Sequence, residues 1–166
     1  MARTKAGFLF AGTKDGGPPA IKRYPLVATA YYEGAVMRLS GTTGSARMVA
    51  AAGTSILGVL GCNVSNAQSS SATTGPFPVY LADDGGNNLF KAKMIASSTP
   101  QAKVGDLCDV ALATTHNYRL QATASTNVVS LWGFDKDEAL SAHTGVNYYV
   151  AFARSVFAQT KSDVTT

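Results

Sequence analysis

The sequence predicts an all-β fold with an extended N-terminal arm and at most one short helix. Short apolar segments with alternating polarity recur along most of the chain, and clusters of Gly, Asn, Asp, Ser and Pro separate them. The repeat of an amphipathic helix is nearly absent. This pattern is typical of a small β-barrel or β-tulip, or of a β-sandwich, and it leaves these arrangements open. We expect the arm over residues 1–24, one β-domain over residues 25–160 and a tail over residues 161–166.

The arm carries all of the excess positive charge. Residues 1–24 hold five basic residues and one acid, whereas residues 25–166 hold nine of each, and the net charge is +4. The stretch Gly16 to Pro19 excludes a regular helix or a central strand. The apolar triplet Phe8, Leu9 and Phe10 has no use in a flexible tail. We therefore expect an extended arm that becomes ordered only when it docks on another surface, with local disorder as the alternative.

The body contains nine segments with strand character. They are residues 35–41, 46–51, 55–65, 76–83, 89–95, 104–113, 118–123, 127–135 and 146–157. The fourth and fifth flank the turn-forming stretch Asp83 to Asn88, which predicts a β-hairpin with a long tip. The sixth and seventh form a second predicted hairpin. The helix candidate is Lys136 to Ala142 with Asp135 as N-cap, and the polar residues 65–76 are expected to be an exposed, mobile loop.

The glycine-rich stretch Gly53 to Gly61 is interpreted as a buried strand. A phosphate-binding loop requires Lys and then Ser or Thr where Val59 and Leu60 stand. The longest apolar run is shorter than the roughly 20 residues that span a bilayer, so no membrane span is expected. Gly58 and Gly61 suit a bulge, a sharp bend or a neighbouring strand pressed close.

No arrangement of residues predicts an active site, a cofactor or a metal centre. The sequence has no Gly-x-Ser-x-Gly elbow, and His116 and His143 lie in predicted turns. Cys62 and Cys108 have no Cys or His at ligand spacing, and a calcium loop over residues 83–94 lacks its bidentate Glu. We expect a non-enzymatic protein with two free, buried thiols, one disulfide being the alternative. Nucleic acid is an unlikely partner, because the neutral body shows no basic stripe.

The order of the strand motifs provides a resemblance. The motifs are EGAVMRLSG from Glu33, ARMVAAAGTSILGVLG from Ala46, FPVYLA from Phe77, PQAKVGDLCDVAL from Pro100 and the segment from Ser130 to Phe152. This layout resembles the small capsid decoration (cement) proteins of tailed bacteriophages over about Glu33 to Phe152. Matching positions are Gly34, Gly58, Val59, Gly105, Asp106, Gly133 and Val150. The insertion NAQSSSATTG and the alanine-rich core depart from the family pattern.

The resemblance implies a homotrimer on the outer surface of an icosahedral phage head, made in the bacterial cytoplasm, that clamps neighbouring major capsid protein subunits. The arm would then bind the capsid, with its apolar triplet as anchor and its cations directed at an acidic shell. Expected capsid-binding residues are Arg3, Lys5, Phe8, Leu9, Phe10, Lys14, Lys22 and Arg23; expected structural glycines are Gly34, Gly58, Gly61, Gly105 and Gly133. Another virion β-domain, such as a head-fibre base or tail component, and a ligand-binding β-barrel are the alternatives.

Overall fold

The computed structural model describes residues 7–40, 44–49, 56–71, 75–82, 87–94, 104–114, 117–121, 128–134 and 147–153. These residues form eleven strands and one short helix, which confirms the all-β prediction. The elements are β1 (Leu9–Thr13), β2 (Ile21–Tyr24), β3 (Val36–Leu39), β4 (Ala46–Met48), β5 (Gly58–Leu60), α1 (Asn66–Ser70), β6 (Phe77–Leu81), β7 (Asn88–Lys93), β8 (Leu107–Thr114), β9 (Asn117–Gln121), β10 (Val129–Phe134) and β11 (Asn147–Phe152).

The strands belong to two antiparallel sheets. The six-stranded sheet has the order β1-β7-β11-β10-β8-β9, and the five-stranded sheet has the order β2-β6-β5-β3-β4. A parallel bridge between Met94 and Leu120 brings β9 back beside the end of β7. The six-stranded sheet therefore curls toward its own second strand.

One hydrophobic core joins the two sheets. In β7, Asn88, Phe90 and Ala92 are buried and alternate with outward-facing residues, as the period of two in a half-buried strand requires. The Phe90 ring lies edge-on to Phe152, with 5.4 Å between centroids. The buried Tyr118 of β9 donates a hydrogen bond of 2.8 Å to the Val49 carbonyl, which follows β4 of the other sheet.

The predicted arm is part of this fold from Gly7 to Tyr24. Residues 9–13 pair with β7 as β1, and residues 21–24 pair with β6 as β2. The expectation that this segment is ordered only on docking is therefore wrong. The expectation fails because the stretch Gly16 to Pro19 does not end the ordered structure. It connects β1 in the six-stranded sheet to β2 in the five-stranded sheet.

One of the two predicted hairpins is correct. Strands β8 and β9 pair directly, as their spacing predicts. Strands β6 and β7 lie in different sheets, so the predicted hairpin between them is wrong. A side chain nevertheless links the two strands. The amide group of Asn88, at the start of β7, donates hydrogen bonds to the carbonyls of Leu81 in β6 (3.0 Å) and of Ala20 before β2 (2.9 Å). A turn-forming composition predicts a change of direction, but not the sheet that the next strand joins.

The helix α1 lies within the stretch predicted to be a mobile loop. Ser65 and Gln68 form a capping box, in which each side chain binds the backbone N–H of the other residue. Ser69 holds α1 against the body, because its hydroxyl binds the Thr29 carbonyl at 2.6 Å and the Thr29 N–H at 3.0 Å. The predicted helix Lys136 to Ala142 lies outside the described residues.

Candidate functional site

The apolar triplet of the arm is used inside the protein. Phe8 is fully buried and stacks on Phe152 with 5.8 Å between ring centroids. Phe10 stacks on Tyr80 of the other sheet at 4.3 Å, with the two rings almost parallel. Phe8 therefore cannot be the predicted capsid anchor, and Phe10 serves to join the sheets. Leu9, between them in sequence, points to the opposite, partly exposed side of β1.

Three of the five predicted arm cations lie among the described residues, and they occupy two different places. Lys22 and Arg23 are exposed on β2, an edge strand, and the Arg23 guanidinium donates a hydrogen bond to the Pro76 carbonyl at 3.2 Å. Lys14 follows β1 and places its ammonium 3.7 Å from the ring centre of Trp132. Arg3 and Lys5 lie outside the described residues.

Trp132 owes its position to a β-bulge. The pairing of β10 with β11 shifts between Leu131 and Gly133, so that Trp132 has no partner on β11. A bulge of this kind changes the direction of a side chain. The indole is 52% exposed, and its N–H donates to the Ser130 hydroxyl at 3.1 Å. A hydrogen bond and the Lys14 ammonium thus hold a large aromatic side chain at the protein surface.

Two further exposed apolar side chains lie near Trp132. Leu107 on β8 is directly opposite Ser130, and Val104 shares a shallow depression with Trp132. Their exposed fractions are 43% for Leu107 and 41% for Val104. We call the side chains of Val104, Leu107 and Trp132, with Lys14 above the indole, the Trp132 surface.

The chemistry of the Trp132 surface suits binding to another protein. Trp is among the residues that most often dominate the binding energy of protein interfaces, especially where smaller apolar neighbours exclude water around it. Aromatic residues such as Trp are also enriched in protein interfaces relative to the rest of the protein surface. No local motif in the sequence distinguishes the exposed Trp132 from the buried aromatic residues.

A second surface feature is a basic cleft of about 450 Å³. Lys91, Lys93 and Arg119 line it, although Arg119 is distant from the two lysines in sequence. This cleft is a local group of cations and not the basic stripe that sequence analysis considered for nucleic-acid binding. Charge summed along the chain is neutral, but folding brings these three cations to one place.

Three of the five predicted structural glycines occupy positions that exclude other residues. Gly34 has a φ of +91° and lies against the Phe8 carbonyl, and Gly105 has a φ of +90°. At Gly58, a Cβ atom would overlap the carbonyl oxygen of Tyr80, so the neighbouring strand is pressed close. At Gly61 a Cβ would meet the Tyr80 ring at 3.0 Å, whereas at Gly133 it would meet nothing within 4 Å.

The two cysteines are free thiols, as expected. Cys108 is buried on β8, whereas Cys62 is only partly buried. Burial raises the pKa of the Cys62 thiol, and the Glu33 carboxylate raises this pKa further while Arg23 lowers it. The thiolate is the nucleophilic form of cysteine, and a raised pKa reduces the fraction of Cys62 in that form. Cys62 is therefore a poor nucleophile.

Among the described residues, no group of three or more His, Cys, Asp or Glu side chains could hold a metal ion. No helix in the described part of the chain is long and apolar enough to cross a membrane. No protein-family model matches the sequence, and no curated protein matches it.

Proposed function

We propose that this chain is a structural protein of a virus particle, a homotrimeric decoration protein that binds the outer surface of an icosahedral bacteriophage capsid. In this role it stabilises the head by clamping neighbouring subunits of the major capsid protein. The observation that carries the proposal is the Trp132 surface, since an exposed indole among apolar neighbours has the composition of a protein-binding site. The family resemblance of the strand motifs supplies the kind of partner.

The structure changes the mechanism that the sequence suggested. Phe8 is buried in the protein itself, so the contact with the capsid is assigned to the Trp132 surface rather than to the apolar triplet. Each of three copies in a trimer needs only a weak contact. Binding by one copy raises the effective concentration of the other two, and the trimer holds far more tightly than any single copy.

Replacing the indole tests this proposal directly. Trp132→Ala is expected to weaken each contact by about 2 kcal/mol, or roughly 30-fold, because it removes the largest apolar group of the surface. The measurement is co-sedimentation of the purified protein with expanded heads of the phage that encodes it. The matched control is Val27→Ala, which truncates another exposed apolar side chain. Val27 lies beside the other sheet, where its backbone N–H donates a hydrogen bond to the Ala46 carbonyl of β4.

The oligomeric state tests the second part of the proposal. Light scattering coupled to size-exclusion chromatography is expected to give the mass of a trimer for the wild type and for both variants. A hexameric ring would favour a tail component instead. The proposal is overturned if the protein is a monomer and its Trp132→Ala variant binds heads as well as the wild type does.

A further inference from the structure

Two arginines lie directly opposite each other on neighbouring strands of the five-stranded sheet. Arg38 of β3 is paired with Arg47 of β4. Side chains that are directly opposite in an antiparallel pair share one face of the sheet, with their Cβ atoms roughly 5 Å apart. Like charges in this position are destabilising, because the two guanidinium groups repel each other. We call these two side chains the arginine pair.

The described part of the chain provides no acid that neutralises the arginine pair. Neither arginine forms an ion pair with the acidic residues of that part, which are Asp15, Glu33, Asp106 and Asp109. The Nε atom of Arg38 is buried, and it has no hydrogen-bond partner among the described residues. A buried donor without a partner costs free energy that an acceptor would recover. The arginine pair therefore has both a repulsion and a donor that a bound anion could satisfy.

The arginine pair lies where an exposed part of the sheet meets a buried part. Arg47 is exposed, whereas Arg38 is partly buried. Val36, two residues before Arg38 and on the same face, is buried opposite the buried Val59 of β5. An ion pair at such a border is screened less by salt than one on a fully exposed surface.

Two tyrosine hydroxyls near the arginine pair already donate to the backbone. Burial raises the pKa of Tyr118 and the charge of Arg38 lowers it, so the field of Arg38 reaches this hydroxyl. Burial likewise raises the pKa of Tyr31, and Arg47 lowers it. Both hydroxyls donate to backbone carbonyls, at 2.8 Å for Tyr118 and 2.6 Å for Tyr31. Among these four side chains, the two guanidinium groups are therefore the ones that can donate to a bound anion.

We propose that the arginine pair binds one carboxylate group of an acidic side chain on a partner protein. A carboxylate has two oxygens in one plane, and a guanidinium group binds it through two parallel N–H···O bonds. The bound charge would offset the repulsion between the arginines, and it would give Arg38 an acceptor when the side chain turns Nε toward the ligand. The proposal does not depend on the decoration function, because the arginine pair and Trp132 lie on different sheets.

A nucleic acid fits the arginine pair less well than a carboxylate does. Proteins that bind a nucleic-acid backbone place cations along the path of successive phosphates. The next residues on the same face of β3 and β5 are Val36 and Val59, which are apolar and buried. The positive charge therefore does not continue across the sheet in that direction, whereas a single carboxylate needs only the two arginines.

The test uses the isotope-labelled full chain and the probe N-acetylglutamate α-amide, whose one charge is its side-chain carboxylate. The Nε–H signals of the arginines in NMR spectra report on each guanidinium, and saturable shifts are expected for Arg38 and Arg47. Arg47→Gln is expected to weaken binding about fivefold. Arg47→Lys should weaken it about threefold, since lysine keeps the charge but loses the planar fork. The control Lys22→Gln removes an exposed cation of β2, at the other end of the strand order, and should leave the affinity within about twofold of the wild type.

Stability separates a binding role of the arginine pair from a structural one. Because Arg47→Gln removes a repulsion, its melting temperature without the probe is expected to equal or exceed that of the wild type. A fall of several degrees would show that Arg47 has a stabilising partner within the chain, and it would overturn the proposal.

A second ligand shows whether the carboxylate is the recognised group. Dimethyl phosphate carries the same single charge on a phosphodiester, the group of a nucleic-acid backbone, and it should bind more weakly than the probe. Tighter binding of dimethyl phosphate would overturn the proposal. Probe-induced shifts that leave Arg38 and Arg47 unchanged would do the same, as would equal losses of affinity in Arg47→Gln and Lys22→Gln.

Discussion

Substitution of Gly58 is the sharpest test of how the five-stranded sheet is built. Gly58 begins β5, the central strand of this sheet, and pairs with Met37 on one side and Leu81 on the other. A Cβ atom at this position would overlap the Tyr80 carbonyl oxygen and lie 2.8 Å from the carbonyl carbon. The obstacle is backbone in the middle of a sheet, so no side-chain rotation can make room for a methyl group.

The cost of Gly58→Ala follows from what must move. Overpacking a well-packed interior costs about 1–3 kcal/mol by itself. Moving β5 away from β6 also weakens nearby hydrogen bonds such as that from the Ala82 N–H to the Leu57 carbonyl, at 2.9 Å. Each such bond contributes about 1 kcal/mol. We expect Gly58→Ala to lower the free energy of unfolding by roughly 3–4 kcal/mol, a large part of the 5–15 kcal/mol typical of a domain.

The assay is guanidinium unfolding followed by far-ultraviolet circular dichroism at one fixed protein concentration. Gly133→Ala is the matched control, because Gly133 also lies in a strand but a Cβ atom there meets nothing within 4 Å. Gly133→Ala is expected to leave the free energy of unfolding unchanged or to raise it by up to about 1 kcal/mol, because alanine reduces the conformational freedom of the unfolded chain. A loss below about 0.5 kcal/mol for Gly58→Ala would refute the close approach of the two strands.

Three further predictions concern buried polar groups. Asn88→Ala is expected to lower the free energy of unfolding by about 2–3 kcal/mol, because it removes the three hydrogen bonds that connect β7 to the segments around Ala20 and β6; chemical unfolding measures this. Burial raises the pKa of Tyr118 above its ordinary value of 10.0, so the unfolded chain releases this proton first and stability is expected to fall as the pH rises above about 10. Tyr118→Phe should make this loss of stability with pH less steep, and Tyr24, Tyr31 and Cys62, whose pKa values burial also raises, contribute to the pH dependence that remains. The buried Cys108 is expected to resist alkylation in the folded protein and to react fully after unfolding, which mass spectrometry of labelled peptides measures.

The strands that sequence analysis located best are those whose signal is local. The alternation in β7 and the close spacing of β8 and β9 belong to segments of a few residues, and the structure has both features. The pairing of β1 with β7 joins segments far apart in the sequence, and no local pattern specifies such a partner. The helix α1 was missed because its residues are all polar and its signal is confined to one capping box.

The Trp132 surface and the basic cleft were less accessible to sequence analysis, for a related reason. Trp132 is exposed because one residue of β10 is unpaired in a bulge, and a bulge leaves little trace in composition. The basic cleft exists because β9 returns to β7, which brings Arg119 to the two lysines. Both surfaces depend on register and curvature, which follow from the packing of the whole sheet rather than from any one segment.

The place of β1 in the fold also determines how the arm can be tested. Removing residues 1–19 would remove β1 and Phe8, exposing the faces of Phe90 and Phe152 that Phe8 and Phe10 cover. Loss of capsid binding after that truncation would report unfolding rather than a lost contact.

The predicted capsid-binding role of Arg3 and Lys5 is better tested by reversing both charges with the strand intact. If these cations direct the protein to an acidic shell, Arg3→Glu with Lys5→Glu should slow association with heads and reduce its salt dependence, while the melting temperature stays unchanged. Unchanged association kinetics at low salt would show that the two cations have no such role.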